Sequence, residues 1–534
     1  MEADYVIVGA GSAGCVLADR LSADGAEVVL LEAGPRDLHP WIHVPAGILK
    51  LLYNPLVNWN YATEPEERSG NRAIHWPRGR VLGGSSSING MLFVRGNPAD
   101  FDHWAQTGCR GWSYADCLPY FKSIERYAPG DDEHRGKSGP LLIEDYRTIL
   151  PLTHRFVEAA QQAGFPFAKD LSGVSPAEGV GYSQMSRNGR FRGSTAQTFL
   201  RAARKRPNVR ILTNATALRI LVQGRRATGV RIDQMGREID IEARREVIVS
   251  SGSVNSPHLL QVSGIGPAEH LRSIGVEVLH DLPGVGQNLS DHYVARVSHR
   301  VKGALSINEL SRGLRLVGEV AKWVTTGRGA LTFGVSSAQC FVRSRDGLAS
   351  PDIQLLFTPA SYDPTKFGTL EKEPGATIAV SIARPESRGT IMARSPDPYD
   401  RPAIRPNYLA APADLRVILA GLGHARRIFS APAFKGLLVR ETTPGPDVRS
   451  DADLTEYVKS YGTTIFHPVG TCRMGEDPMA VVDSRLRVRG LGGLRVVDAS
   501  VMPLVTTGNT NAPTIMIAEK ASAMIREDAR AAVA

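Results

Sequence analysis

YVIVGAGSAGCVLADRLSADGAEVVLLE, residues 5–32, is the stretch that decides the fold class. Tyr5 to Val8 is a short apolar run rich in β-branched residues, which reads as a buried strand. It enters Gly9-Ala10-Gly11-Ser12-Ala13-Gly14, after which Cys15, Val16, Leu17 and Leu21 recur at helical spacing. Gly9 permits a tight turn, Gly11 lets a pyrophosphate approach the backbone, and Gly14 lets the helix pack close against the strand. The N–H groups that open such a helix have no partner inside it and are offered to phosphates. A second strand, Glu27 to Leu31, ends at Glu32, the acidic position at which a ribose hydroxyl pair is held. Strand, loop, helix, strand and acid in that order predict a Rossmann-type dinucleotide site. Glu32 followed by Ala33-Gly34 leans toward FAD, while spacing alone leaves NAD open.

Two further segments fit the same sheet. Val209 to Ile232 contains three short alternating runs broken at Thr213-Asn214 and Gln223-Gly224-Arg225, the pattern of a small β-meander. Glu246 to Ser250 reads as a buried strand that returns the chain to the nucleotide sheet. Core strands of a different sheet would carry the same pattern.

At 534 residues the chain is too long for a single core, and two lobes are expected. With 42% hydrophobic and 22% charged residues and no long biased tract, it should fold throughout. The net charge of +9 is spread along the chain and interleaved with acids, so nucleic-acid binding is not expected. The one tight basic run, Arg201 to Arg206, precedes a Pro-Asn turn and reads as a solvated helix end. Five cysteines without a CxxC pair fit a reducing compartment. No apolar stretch approaches the ~20 residues that a spanning helix needs, and no signal-peptide pattern precedes the first strand. The expectation is a soluble cytoplasmic protein, with peripheral attachment to the inner face of a membrane left open.

Residues 79–102, GRVLGGSSSINGMLFVRGNPADFD, form a donor-rich glycine and serine loop rather than a core element. Residues 252–266, GSVNSPHLLQVSGIG, place a Gly-Ser turn and a short apolar helix ahead of another glycine turn. Together these stretches resemble the two signature segments of the glucose-methanol-choline oxidoreductases. Further resemblance lies in GVGQNLSDH at 284–292, in Phe466-His467-Pro468 leading to Arg473-Met474-Gly475, and in Val497-Asp498-Ala499-Ser500 leading to Asn509-Thr510-Asn511. It runs from residue 4 to about residue 526 and is closest to the choline and aliphatic-alcohol dehydrogenase branch.

The resemblance implies an α/β fold: a Rossmann-type FAD lobe built from discontinuous segments, 1–149, 201–299 and 456–534, and an α+β substrate lobe, 150–200 and 300–455, with a sheet covered by helices. By the same resemblance Gly9, Gly11, Ser12, Ala13, Gly14, Glu32 and Ala33 hold the ADP half, and Ala217 lies beside the adenine through its backbone. Arg80, Gly83, Gly84, Ser87, Asn89, Gly90 and Met91 line the flavin and ribityl half. Gly252 belongs to the second segment, and Asp498, Ala499 and Asn509 close the site. Thr514 stands near the start of a helix-like C-terminal stretch, and the resemblance implies that the positive end of that helix points at the flavin. Some relatives attach FAD through a histidine before the Asn of the first signature. Ile88 stands there in this chain, so noncovalent FAD is expected.

Alcohol oxidation removes a proton from oxygen and a hydride from carbon. The resemblance assigns the proton to His467 and the hydride to flavin N5, with Asn511 donating to the substrate oxygen. Imidazole suits the first task, with an ordinary pKa of about 6.5. His292, one of 13 histidines, reads as structural. A choline substrate needs a carboxylate or an aromatic cage. Between Glu319 and Asp346 there is no acid, and Ser337 occupies the expected place, which tilts the expectation to uncharged primary alcohols. No second GxGxxG and no cysteine cluster is present, so electrons should leave to an external acceptor: oxygen, a quinone or a carrier. A lyase of the same fold would share His467, and a photoenzyme would need a different set.

Overall fold

Val28–Glu32 is buried along its whole length, as a strand covered on both faces must be. The computed structural model describes residues 1–172, 178–363 and 368–531. In it, Val28–Glu32 lies parallel to Glu2–Val8 with Tyr5 opposite Val28, and the sheet continues to Arg237–Val249 and Leu494–Val496. Helix Ser12–Ser22 follows the glycine turn and packs against the C-terminal helix Asn511–Ala531.

Val209–Thr213 departs from the expected meander. It pairs in parallel with Val28–Glu32 at the sheet edge, and the meander consists of Ala215–Gln223, Arg226–Gln234 and the first half of Arg237–Val249. Asn214, at φ 51°, breaks the strand between the two roles. The second half of Arg237–Val249 is the return strand, with Val247 opposite Val6.

A second sheet is antiparallel and runs Leu438–Thr443, Tyr293–Val301, Gly375–Ile382, Ile353–Thr358, Ala338–Val342, Gly179–Tyr182. Its alternation positions the site. Ala295, Val297, Ile353, Leu355, Phe357, Ile378 and Val380 face a core shared with helices Pro151–Gln162 and Pro412–Phe429. The intervening Arg296, Leu356, Thr358, Thr377 and Ala379 face a cavity between the two sheets. Two separate apolar clusters, one around each sheet, form the cores.

The expected lobe boundaries fall across paired strands. Tyr293–Val301 spans the 299/300 division and pairs with Gly375–Ile382 and Leu438–Thr443, both assigned to the other lobe. Leu141–Asp145 and Gln184–Asn188 are likewise neighbours across the division at 149/150. No change of composition marks these crossings, because the pairing is long-range.

A Cβ on Gly14 would lie 1.9 Å from the Gly9 carbonyl oxygen, a backbone atom that cannot yield. Gly14→Ala should therefore cost about 3 kcal/mol or more. A urea unfolding curve of the variant, displaced to lower midpoint with its slope retained, is the expected result.

Candidate active site

The cavity is continuous from the glycine turn to the antiparallel sheet. Its lining includes Gly9, Gly11, Ser12, Ala13, Glu32 and Ala33, together with Ala217 and Gly252. Gly9 sits at φ 101° and a Cβ there would strike the Ser250 carbonyl at 2.6 Å, whereas a Cβ on Gly11 or Gly252 would enter the cavity itself. Those two open positions form a cradle in which a ligand approaches bare backbone. Helix Ser12–Ser22 has no side-chain cap at Gly11, so its first N–H groups are available to an anion. Glu32 accepts the N–H groups of Ala10 at 3.1 Å and Gly34 at 2.8 Å. Burial pushes its carboxyl up to about 7, against those two donors. His258, also lining the cavity, keeps a buried Nε2 without a protein partner, as does Asn509 with its Oδ1. These features suit a dinucleotide that supplies phosphate, ribose and heterocycle atoms to them.

Gly84, Asn89, Gly90, Met91, Asp498, Ala499, Asn509, Asn511 and Thr514 also line the wall. Asp498 ties two loops together, accepting from Gly252 N at 2.9 Å, Ser256 Oγ at 2.5 Å and Ser500 N at 2.8 Å. Helix Asn511–Ala531 begins at the cavity with no acidic residue in its first turn. Ser12 Oγ donates to Asn511 Oδ1 at 2.7 Å, which joins the starts of the two helices.

Four expected cofactor residues stand behind the wall instead of on it. Gly14 packs against Gly9, as above. Gly83 donates its N–H to Ala10 O at 2.7 Å, and Ser87 Oγ donates to Leu82 O at 2.7 Å, so both brace the loop. The Arg80 guanidinium lies 5.0 Å over the Trp59 ring, and it is Trp59 that meets the cavity. Arg78 lines the wall and donates to Phe466 O at 2.6 Å. Nothing in the run Arg78-Gly79-Arg80 distinguishes the two arginines by type. Ser337 is turned from the cavity toward Thr153 Oγ1, 2.8 Å away, while its neighbour Ser336 lines it.

His467 is held by a turn built on Asp291. The buried Asp291 carboxylate accepts from His467 N at 2.8 Å, Thr464 Oγ1 at 2.6 Å and Tyr408 OH at 2.5 Å. Phe466 adopts φ 69°, which swings the ring of His467 to the cavity. The ring then joins a chain of hydrogen bonds with one possible direction. His292 Nε2 lies 3.1 Å from Ala383 O, which only accepts, so Nε2 carries the proton. His292 Nδ1 is 2.9 Å from His467 Nδ1 and, in a neutral ring, must accept. His467 therefore has its proton on Nδ1 and a lone pair on Nε2, which takes the Asn509 Nδ2 proton at 3.1 Å.

Electrostatics keep both rings neutral. Burial, then His292, then Arg78 hold His467 well below 6.5, and burial lowers His292 to about 4. The amide that touches the His467 ring is thus that of Asn509, while Asn511, the expected partner, is anchored by Ser12. His292 was read as structural, and only its neighbour in space reveals its part in the chain.

Toward the antiparallel sheet the described lining residues include Arg78 and Arg296 but no carboxylate beyond Glu32 and Asp498. No group of described histidines, cysteines and acids has metal-ligand geometry. No described helix is long and apolar enough to cross a membrane.

Comparison with known proteins agrees with this architecture. Residues 3–294 and 385–518 match the two family models described as GMC oxidoreductase. The chain is 42% identical to "Alcohol dehydrogenase [acceptor]" of Pseudomonas putida over 530 residues, 98% of this chain and 95% of that one. It is 43% identical over 530 residues to "Oxygen-dependent choline dehydrogenase" of Brucella anthropi, with the same coverage. Among solved structures, pyridoxine 4-oxidase from Mesorbium loti superposes with a TM-score of 0.89 at 31% identity, covering 98% of this chain and 99% of that one. The chain belongs to the GMC oxidoreductase family, whose members are FAD-dependent enzymes acting on alcohol-type substrates.

Proposed function

We propose that this chain oxidises an uncharged primary alcohol to an aldehyde on noncovalent FAD, with His467 as the base. The observation that carries this reading is the place of the His467 ring on the cavity wall, with its Nε2 3.1 Å from the Asn509 amide nitrogen, a donor that does not titrate. When bound, FAD supplies the hydride acceptor. The substrate hydroxyl displaces the Asn509 amide from Nε2 and gives its proton to that nitrogen as the hydride leaves. Asn511, with its oxygen held by Ser12, is oriented to donate its NH2 to the developing alkoxide. The start of helix Asn511–Ala531 adds about half a positive charge near the same place. Ile88, an apolar side chain on the cavity wall, stands where a covalent link would need a nucleophile, which supports noncovalent attachment. Electrons leave to an external acceptor: oxygen, a quinone or a separate carrier.

The preference for an uncharged alcohol rests on the wall. Met91, Leu356, Ala379 and Ile465 are apolar, and the charged groups at that end, Arg78 and Arg296, are cationic. A trimethylammonium headgroup would lose its water and meet charge of its own sign. The Brucella relative named for choline oxidation makes choline the natural comparison.

The experiment is anaerobic mixing of the purified flavoprotein with a medium-chain alcohol or with choline, followed by the bleaching of the flavin band. The alcohol should reduce the flavin faster. His467→Ala should keep the flavin yet slow reduction by on the order of 10² or more. Faster reduction by choline would refute the substrate class, and an undiminished rate in the variant would refute the base.

His292 acts as a positioning residue, because its Nδ1 obliges His467 to keep the proton on the side away from the substrate. His292→Leu should lower kcat by roughly tenfold to a hundredfold with a smaller change in KM. His292→Asn, which restores an acceptor near Nδ1, should recover most of the loss, and equal damage from both variants would mean that His292 only packs.

Since the His467 pKa is depressed, the neutral base persists on acidification. The expected profile of kcat/KM is level through pH 6.5 and falls only below it. A midpoint at or above 6.5 would contradict the burial argument.

A further inference from the structure

We propose that helix Gly313–Thr326 docks the protein on the surface of an anionic lipid bilayer. Its sequence, GLRLVGEVAKWVTT, is strongly amphipathic, yet none of its residues is buried. At 100° per residue, Leu314, Val317, Val320, Ala321 and Val324 share one arc, and that arc faces outward. Leu314 is 90% exposed, Val317 64% and Val324 53%. The opposite side of the helix meets the protein: Glu319 accepts the Ala330 N–H at 2.5 Å and Trp323 meets the Phe191 ring edge-on at 5.7 Å, while Arg315 and Lys322 beside them stay about half exposed. A surface helix of a water-soluble protein has the opposite orientation. An apolar ridge of this kind implies a partner.

Charge selects that partner. Arg312, Arg315, Lys322 and Arg328 lie on the helix and at its ends, and Arg190 donates to the Val324 carbonyl beneath it. The nearby carboxylates are Glu309, paired with Arg315 at 3.0 Å, and the inward-facing Glu319, 4.0 Å from Lys322, which leaves Arg312 and Arg328 as the excess positive charge. A second copy of this chain docking about a twofold axis would bring like cations together. A bilayer surface with anionic headgroups instead neutralises them while the ridge enters the acyl boundary. At ~1.5 Å per residue the helix is about 21 Å long, so it lies in the plane of the surface.

The position has a functional sense that rests on the alcohol reading above. The segments flanking the helix, Ile307–Leu310 and Ala330–Thr332, contribute Ile307 and Ala330 to the apolar cluster that contains Met91, Leu92, Val335 and Leu356. Those four also line the substrate end of the cavity. Docking there sets the substrate wall beside the interface, where amphiphilic alcohols accumulate.

The test is co-sedimentation of the flavin-loaded full chain with phosphatidylcholine vesicles carrying about one-third phosphatidylglycerol, compared with phosphatidylcholine alone. The wild type should pellet with the anionic vesicles and be released by high salt. The triple variant Leu314→Glu, Val317→Glu, Val324→Glu should bind at least about tenfold more weakly, with unchanged turnover of a short water-soluble alcohol and a soluble dye. Arg312→Gln with Lys322→Gln, which leaves the apolar ridge intact, should weaken binding to anionic vesicles alone. Absence of sedimentation, equal sedimentation of wild type and triple variant, equal affinity for neutral vesicles, or a solution dimer that the triple variant dissociates would each overturn the proposal. Turnover and sedimentation are read separately, so failure of the alcohol reading would not be mistaken for failure of docking.

Discussion

A neutral imidazole in a water-poor site has two tautomers, and the chemistry depends on which one is held. Here the choice is made by a backbone carbonyl. Ala383 O can only accept, which sets His292, which sets His467, which leaves its lone pair toward the cavity. The carbonyl and His292 are placed by the ends of two antiparallel strands: Val294 opposes Ser381 in the register, so residues 292 and 383 meet just past the paired segment. His467 is placed by Asp291, the residue beside His292. One corner of the antiparallel sheet therefore fixes both the position and the proton of the ring, and the Rossmann sheet supplies the opposite wall.

Burial does the complementary work. A solvated imidazole would be half protonated near 6.5 and a poor base at mildly acid pH. Enclosure, together with His292 and Arg78, favours the uncharged ring, the form that the proposed base requires. The same enclosure is costly for the polar groups around it. The Asp291 carboxylate has three donors on it, and the Asp498 carboxylate likewise, which is how these buried acids are tolerated.

Legibility in the sequence followed range. The glycine turn, its helix and Glu32 are contained in 28 residues whose constraints are all local, so residues 5–32 could be read as strand, turn, helix and strand without a structure. Val209–Thr213 could not be placed, because alternation reveals a strand but not its neighbour. At the site, residue type was a weaker guide than geometry. Arg78 and Arg80 are identical in kind and two residues apart, and a turn that places one on the wall puts the other behind Trp59. Asn509 and Asn511 pose the same ambiguity, resolved by Ser12 reaching the second of them. His292 stood in a stretch that carries the resemblance, but its contact with His467 was not legible, since it exists only in a pairing across 175 residues.

Direct observation of the tautomer tests this account at its centre. Nitrogen-15 NMR of the holoprotein labelled at histidine, with His467 assigned by comparison with His467→Ala, reads each ring nitrogen as protonated or bare. The expected spectrum has a proton-bearing Nδ1 and a bare Nε2 for His467 at neutral pH. A proton-bearing Nε2 with a bare Nδ1, or a doubly protonated ring, would contradict the account.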